Sequence, residues 1–207
     1  MSVIAVTVFK PFLGKRVLAE ERIRKVAEIY ENIGATVKAT RFVAGENTGC
    51  FGLVRAYPDF KTSLSMLTKL SEHPSYKGIM RQREAEPAGD ILIHRRVALT
   101  VFGDRNWKSN PVSMIRRYSI SRGNLAKALA VLESVQELMN PEKVNVIGLM
   151  PILSDDMSSL SVSYQFQSVD HSGEVLDGAG TSEEMRSLVT QASEFSTLEA
   201  AHLMVPL

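Results

Sequence analysis

Side chains that could bind an anion and move a proton are concentrated on stretches of this sequence that alternate like β-strands. Arginine presents a planar fork of N–H donors that matches a carboxylate or phosphate, and histidine transfers protons near neutral pH. In "ILIHRRVALT" (91–100), His94 stands beside two arginines and is the candidate catalytic base. Grouping by strand face gives the candidate ligand-binding residues, which are Arg41, Arg55, Tyr57, Arg96, Arg116, Tyr118, Ser163 and Gln165.

The direction in which these faces point decides whether they form a site. In "SLSVSYQFQ" (159–167) the apolar residues should face helices, which leaves Ser163 and Gln165 facing a central space. If the arginine- and histidine-bearing faces also point inward, that space would bind a small anionic or polar-aromatic ligand. The alternative is that the arginines lie on edge strands or at strand ends, where positive charge prevents edge-to-edge pairing. The adjacent pairs Arg95–Arg96 and Arg116–Arg117 favour this alternative, because one member of each must point to the opposite face.

The sequence predicts neither a metal nor a cofactor. It has one cysteine, Cys50, and no pair of histidines or cysteines at the spacing of a metal site. His73 precedes Pro74, and proline suits the first position of a helix while the residue before it is extended. We therefore interpret His73 as the start of a helix rather than as a ligand.

Overall charge gives no reason to expect a polyanionic partner. The 207 residues carry 24 basic and 23 acidic side chains, a net charge of +1, so no general attraction to nucleic acid or to a membrane surface is expected. The longest apolar runs, such as 146–153, are far shorter than the roughly 20 residues of a spanning helix. The first ten residues lack the features of a secretory leader. A cytoplasmic protein is the expectation.

The order of predicted elements repeats once along the chain. Residues 3–10 are typical of a buried strand, and residues 17–34 then adopt the three- and four-residue spacing of an amphipathic helix. Two strands follow, then a helix capped by Asp59, a helix from His73 to Glu86, and a long strand. The predicted strands of this half are 3–10, 35–45, 50–57 and 90–103.

A polar linker with the single tryptophan, Trp107, precedes the second half. Here Asn124 is the expected N-cap of one helix, and Thr181, followed by Glu184, is the expected N-cap of a helix over 181–195. The predicted strands are 113–121, 143–153, 158–167 and 201–207.

This double β-α-β-β-α-β order resembles the dimeric α+β barrel superfamily, which includes NIPSNAP proteins, stress-responsive A/B barrel proteins, EthD-like proteins and antibiotic-biosynthesis-type monooxygenases. The resemblance rests on element order and on the helix opening "HPSYKGIMRQ" (73–82). It implies an α+β fold in which a ferredoxin-like unit is duplicated in tandem, so that two antiparallel sheets form a barrel within one chain. The two repeats would be 1–103 and 113–207, joined by a linker at 104–112, and a homodimer is also open because the superfamily usually pairs two chains.

Three functions follow from the resemblance and the candidate residues. The first is a NIPSNAP-like protein that binds a small anionic or polar-aromatic ligand in the central cavity. The second is a cofactor-independent monooxygenase, isomerase or lyase acting on a small aromatic or polyketide-like acid, with His94 as base. Haem-degrading members combine an Asn, a Trp and a His, and this chain has no such set on its first-half strands. The third is a structural or assembly protein without a ligand.

Overall fold

The fold is given by a computed structural model that describes residues 2–207. Its first half contains four strands and three helices, which are β1 (Val3–Pro11), α1 (Arg16–Asn32), β2 (Thr36–Gly45), β3 (Phe51–Tyr57), α2 (Phe60–Glu72), α3 (Pro74–Ala85) and β4 (Gly89–Phe102). The second half repeats this order with β5 (Val112–Ile120), α4 (Leu125–Met139), β6 (Asn145–Leu153), β7 (Ser159–Phe166), α5 (Val169–Asp177), α6 (Glu183–Ser193) and β8 (Ser196–Pro206). The predicted α+β class and the repeated order are confirmed, whereas the boundaries 1–103, 104–112 and 113–207 remain predictions.

The eight strands close into a barrel in the order β1-β3-β2-β8-β5-β7-β6-β4. Every neighbouring pair is antiparallel, and the two halves join where β2 pairs with β8 and where β4 pairs with β6. A closed barrel has no free edge, so among residues 2–207 no arginine lies on an unpaired edge strand. The part of the alternative that places the arginines on edge strands is therefore wrong.

Each sheet face has a distinct role. The outer face of each half packs beneath that half's helices. On β7, the buried Leu160, Val162 and Tyr164 belong to the core that includes residues of α4 and α6, while Ser163 and Gln165 line the barrel interior. The alternation predicted for 159–167 is thereby confirmed.

Helix starts show which capping predictions hold. Asp59 accepts a hydrogen bond from the Thr62 backbone N–H at 2.6 Å and starts α2 as predicted. Asn124 makes no side-chain cap bond. At α6 the cap is Ser182, whose Oγ accepts from the Met185 N–H, because Thr181 instead donates its hydroxyl to the Asp177 carbonyl at the end of α5.

His73 stands between α2 and α3 in extended backbone, with Pro74 opening α3, as the sequence predicted. Its side chain does not cap the helix.

Trp107, in the linker, packs at the barrel mouth against a cluster that contains Ile4, Val54 and Ala56. No helix within residues 2–207 has the length and apolar character needed to cross a membrane.

Candidate functional site

A β-bulge on β4 redirects the side chains that the sequence placed on one face. Val6 of β1 pairs with Arg96 and Val8 pairs with Ile93, so Thr7 alone stands opposite His94 and Arg95. A bulge adds one residue to one strand and re-aims the side chains around it. His94 and Arg95 consequently both point to the helix-covered side, and Arg96 points into the barrel.

The two redirected side chains line a cavity between the sheet and α1, α2 and α3, which we call the first-half cavity. Its volume is about 390 Å³, within the range of ordinary small-molecule pockets. Aromatic and aliphatic residues form most of the wall, and no aspartate or glutamate is among its lining residues in the described part of the chain. The polar groups of the lining are Thr7, Arg22, Tyr30, Arg55, Tyr76, Arg83, His94 and Arg95.

Arg55 is the most deeply buried of these charges and is held without a carboxylate. It is 4% exposed, and its guanidinium donates to the Ala5 carbonyl, the Tyr30 hydroxyl and the Thr7 hydroxyl at 3.4, 3.2 and 2.7 Å. Its Cζ also lies 5.2 Å from the centre of the Tyr30 ring. Because these acceptors are neutral, no ion pair among them offsets the positive charge of Arg55 at the cavity wall.

The other arginines keep unused donors at this cavity. Arg95 uses Nη2 to bond the Ser63 hydroxyl and carbonyl at 2.5 and 3.2 Å. Arg22 bonds the Glu86 and Gln82 carbonyls at the end of α3, and its Nη2 lies 4.0 Å from the Glu86 carboxylate. Its buried Nε has no hydrogen-bond partner among residues 2–207. An anionic ligand supplies the acceptors that such donors lack.

Burial and mutual repulsion shape the electrostatics of the cavity. Burial, followed by the charge of Arg55, lowers the pKa of Arg95. Burial raises the pKa of Tyr76, with the neighbouring Tyr30 adding to the effect, and burial raises the pKa of Tyr57 to about 12. The tyrosines therefore stay neutral at physiological pH, and an anion would relieve the repulsion between the arginines.

Several of the predicted residues do not face the central space. Arg55 and His94 line the first-half cavity, and Tyr57 belongs to the helix-side core of the first half. Arg116 and Tyr118 line a second-half cavity of about 130 Å³ beneath α4 and α6. Arg41 lies on the outward face, since its neighbours Lys38 and Phe42 line the barrel while Val37 and Ala39 pack on the helix-side core. These six residues therefore do not point into the barrel, which was one of the two alternatives that the sequence left open.

The physical reason is that large residues are needed under the helices. On β3 the alternate residues Phe51, Leu53 and Tyr57 pack against helices, whereas the small Gly52 faces Thr40 and Phe42, where a Cβ would lie 2.6 Å from the Thr40 Oγ1. Arg55 lies on the same face of β3 as these large residues, so its side chain also points towards the helices. Whether any of the predicted residues binds a ligand remains a prediction.

Three predicted residues do line the barrel interior, which encloses about 100 Å³. Arg96, Ser163 and Gln165 lie there together with Lys38, Arg117 and His202, which the sequence analysis did not select. Gln165 accepts from the Asn106 N–H and the Asn145 side chain, and Lys38 donates to the Ser113 hydroxyl at 2.9 Å. Gln165 is thus engaged in structure, whereas Arg96 and Arg117 are partly buried.

Sequence reasoning also missed the contributions of the helices to the first-half cavity. Arg22 and Tyr30 come from α1, and Tyr76 and Arg83 come from α3. A detectable signal was present, because Tyr30 lies on the apolar face of 17–34. That face alone does not show which helical residues reach the strands.

No protein-family model matches this chain, and no curated protein matches it at a significant level. Among solved structures, two proteins named putative monooxygenase share its architecture. The one from Fusobacterium nucleatum has a TM-score of 0.67 and 11% identity, with 100% of this chain and 93% of that chain covered. The one from Lactobacillus acidophilus has a TM-score of 0.62 and 8% identity, with 99% and 96% covered.

An anthrone oxidase-like protein is also similar, with a TM-score of 0.61, 10% identity and coverage of 100% of this chain and 91% of that chain. These structures are of the dimeric α+β barrel type, so the fold predicted from element order is confirmed. A specific likeness to NIPSNAP proteins is not among these findings. At such low identity the comparison establishes the architecture and not the reaction.

Trp107 and His94 lie on opposite sides of the sheet, since Trp107 lines the barrel interior and His94 lines the first-half cavity. Asn47 and His202, which the sequence analysis did not select, line the barrel interior together with Trp107.

Proposed function

We propose that this protein is a monooxygenase-like enzyme that binds a small aromatic anion in the first-half cavity. The observation that carries the proposal is the composition of that cavity. It combines about 390 Å³ of largely apolar space with four arginines and one histidine. Apolar walls with a few convergent polar groups are the usual signature of a small-molecule site.

The arginines favour a ligand with at least one anionic oxygen. Arg95 and Arg22 have unused N–H donors at the cavity, and a guanidinium binds a carboxylate or phenolate through parallel hydrogen bonds. Tyr30, Tyr76 and Phe51 supply ring surfaces on the wall, which favours a planar aromatic body. A small aromatic or polyketide-like acid meets both requirements.

His94 is the residue that would move a proton. It lies on the cavity lining beside Arg95, and an imidazole accepts a proton readily near neutral pH. With an aromatic ketone that has an acidic CH₂ group, His94 would take one C–H proton, and the arginines would stabilise the resulting enolate. The enolate then reduces O₂ and forms a C–O bond, giving a hydroperoxide that loses water. The overall change is CH₂ plus O₂ to C=O plus H₂O.

The comparisons support this chemistry only indirectly. The similar structures include proteins named as monooxygenases and as anthrone oxidase-like, and an anthrone has an activated CH₂ group of the kind just described. A shared fold raises the expectation of such chemistry without assigning it. An isomerase or lyase acting on a similar acid would use the same base and the same anion-binding arginines without O₂.

A second candidate is ligand binding without turnover, as in the NIPSNAP-like hypothesis. The observation in its favour is that His94 is exposed to solvent, whereas oxygenation of an enolate proceeds best where water is excluded. Both candidates place the ligand in the first-half cavity, whereas the hypothesis made from the sequence placed it in the central cavity. The central barrel is an unsuitable place for an aromatic body, because it encloses only about 100 Å³.

Oxygen uptake separates these candidates. Purified protein is mixed with anthrone or 1,8-dihydroxyanthrone, and O₂ consumption is followed together with the absorbance of the quinone product. We expect one O₂ consumed per quinone formed, and a loss of roughly 10²- to 10⁴-fold in kcat/KM for His94→Gln, as for removal of a general base. Arg83→Gln should weaken binding, whereas Arg81→Gln, on the same helix but exposed, should not.

Saturable binding of these compounds without O₂ uptake would reject the monooxygenase and leave the binding protein, isomerase or lyase. The first-half cavity would be rejected as the functional site if neither anthrone bound or caused O₂ uptake and a small aromatic carboxylate such as 2-hydroxy-1-naphthoate did not bind either.

A further inference from the structure

We propose that the barrel interior contains a second site, where Arg96, Arg117 and His202 bind a small oxyanion or monocarboxylate. These side chains come from β4, β5 and β8 and line one internal cavity. The site lies on the opposite side of the sheet from the first-half cavity and does not depend on the proposed function. It would take sulfate, phosphate, nitrate or formate.

Adjacent arginines on each strand separate the two sites. Arg117 lines the barrel while Arg116 lies beneath the second-half helices, 5.5 Å from the centre of the Tyr164 ring. On β4 the bulge directs Arg96 inward and Arg95 outward. The guanidinium groups of Arg96 and Arg117 thus enter the barrel from strands of different halves. These strands come together only because the barrel is closed.

His202 provides a polar atom without a partner at this position. Its ring packs against Phe42, with the centroids 4.9 Å apart. Its Nδ1 is buried and has no hydrogen-bond partner within residues 2–207. Buried polar atoms in native structures nearly always have a partner, which can be a ligand or an ordered water.

The acidic groups that face this cluster lie at its rim. Glu46, which follows β2, approaches Arg117 at 3.8 Å and its side chain is 45% exposed. Asp155 and Asp156, in the turn between β6 and β7, are exposed and act with Glu46 to raise the pKa of Arg96, although burial and Arg117 lower it more. Solvent screens such rim charges.

The electrostatic potential at His202 is nevertheless positive. Burial, then Arg117, then Arg96 lower the pKa of His202 to about 4, and no acidic group contributes in the opposite direction. A bound anion would offset these charges and favour the protonated imidazole, which then donates from both ring nitrogens. Anion affinity should consequently rise as the pH falls from 7 towards 5.

The size of the cavity limits the ligand. Its volume is about 100 Å³, below the roughly 300 Å³ or more of usual small-molecule pockets. This size favours an oxyanion or a one- or two-carbon carboxylate over an aromatic acid. This limit distinguishes the second site from the first-half cavity.

The test uses sodium sulfate, phosphate, nitrate and formate, each titrated into the full chain at constant ionic strength with sodium chloride. Calorimetry at pH 5.5 measures binding, and NMR titration of the His202 ring, assigned with His202→Gln, measures its pKa. We expect saturable binding of at least one anion and a rise of one unit or more in the His202 pKa. Arg117→Gln should weaken binding at least tenfold, and the matched Arg116→Gln should leave it unchanged.

Three results would overturn the proposal. They are no saturable binding of any of these anions to the wild-type chain, a His202 pKa that does not respond to them, or equal losses in Arg116→Gln and Arg117→Gln. If Arg117→Gln does not fold, Arg117→Lys keeps the charge but loses the fork, and it should also weaken binding at least tenfold.

Discussion

Lys38 is a buried amine inside the barrel, and its placement has a measurable consequence for stability. It is 8% exposed, it donates to the Ser113 hydroxyl, and burial lowers its pKa from 10.5 to about 8. Between these values the unfolded chain binds the proton that the folded chain has released. The free energy of unfolding should therefore rise as the pH increases from 8 towards 10.

Up to pH 9.5 we expect this rise to be about 2 kcal/mol, from 1.36 kcal/mol per unit over the roughly 1.5 units between the folded pKa and that pH. Urea unfolding of the wild type and Lys38→Met at pH 7, 8, 9 and 9.5 measures it. Lys38→Met should be more stable at pH 7 and should lack the rise. A wild-type stability that is flat or falls over this range would show that Lys38 keeps its charge without cost.

His202 should change the free energy of unfolding at acidic pH, whereas Lys38 changes it at alkaline pH. Its pKa falls from 6.5 to about 4 on folding, so the unfolded chain binds more protons between these values and the free energy of unfolding falls as the pH drops through that window. Removing this histidine should reduce that fall. Comparing His202→Gln with wild type at pH 7, 6, 5 and 4.5 checks this, and identical slopes would contradict it.

At the scale of elements, the strands show what the sequence could and could not predict. Strict alternation of serines with apolar residues made the two faces of β7 predictable. On β4 the same reasoning failed, because the bulge at His94–Arg95 uses one additional residue and nothing in "IHRRV" signals it. On β3 every residue is buried, so the two faces could not be distinguished by polarity. They differ in side-chain size, because the larger residues lie under the helices.

The helix caps give a prediction at this scale. Ser182 accepts a hydrogen bond from the Met185 N–H at the start of α6, whereas Asn124 at the start of α4 makes no such bond. Ser182→Ala should cost about 1 kcal/mol of stability, the usual value for a lost cap. Asn124→Ala should cost much less. Urea unfolding of both variants tests this, and equal costs would mean that the cap bond at α6 contributes nothing.

At the scale of the whole molecule, barrel closure depends on both halves. The first half alone would leave β2 and β4 without their partners β8 and β6, and unpaired edges associate with other chains. We expect residues 1–103 produced alone to dimerise or aggregate, which light scattering after gel filtration would show. A folded monomer of that fragment would contradict this dependence. The full chain closes its barrel by itself, so the homodimer remains a separate prediction.

In the closed barrel a single sheet separates two cavities. The first-half cavity is large and partly aromatic, and the barrel interior is small and polar at one end. The sequence predicted that arginines and a histidine would meet a ligand. It could not assign each residue to a side, because strand closure and the bulge on β4 determine that assignment.

The most direct measurement is calorimetric titration of a small aromatic carboxylate, such as 2-hydroxy-1-naphthoate, into wild type, Arg95→Gln and Arg96→Gln. These adjacent arginines differ in the side of the sheet that they face. Binding to the first-half cavity predicts one site per chain, weakened at least tenfold in Arg95→Gln and unchanged in Arg96→Gln. Binding that is lost in Arg96→Gln and kept in Arg95→Gln, or absent from the wild type, would contradict the assignment of the ligand site to the first-half cavity.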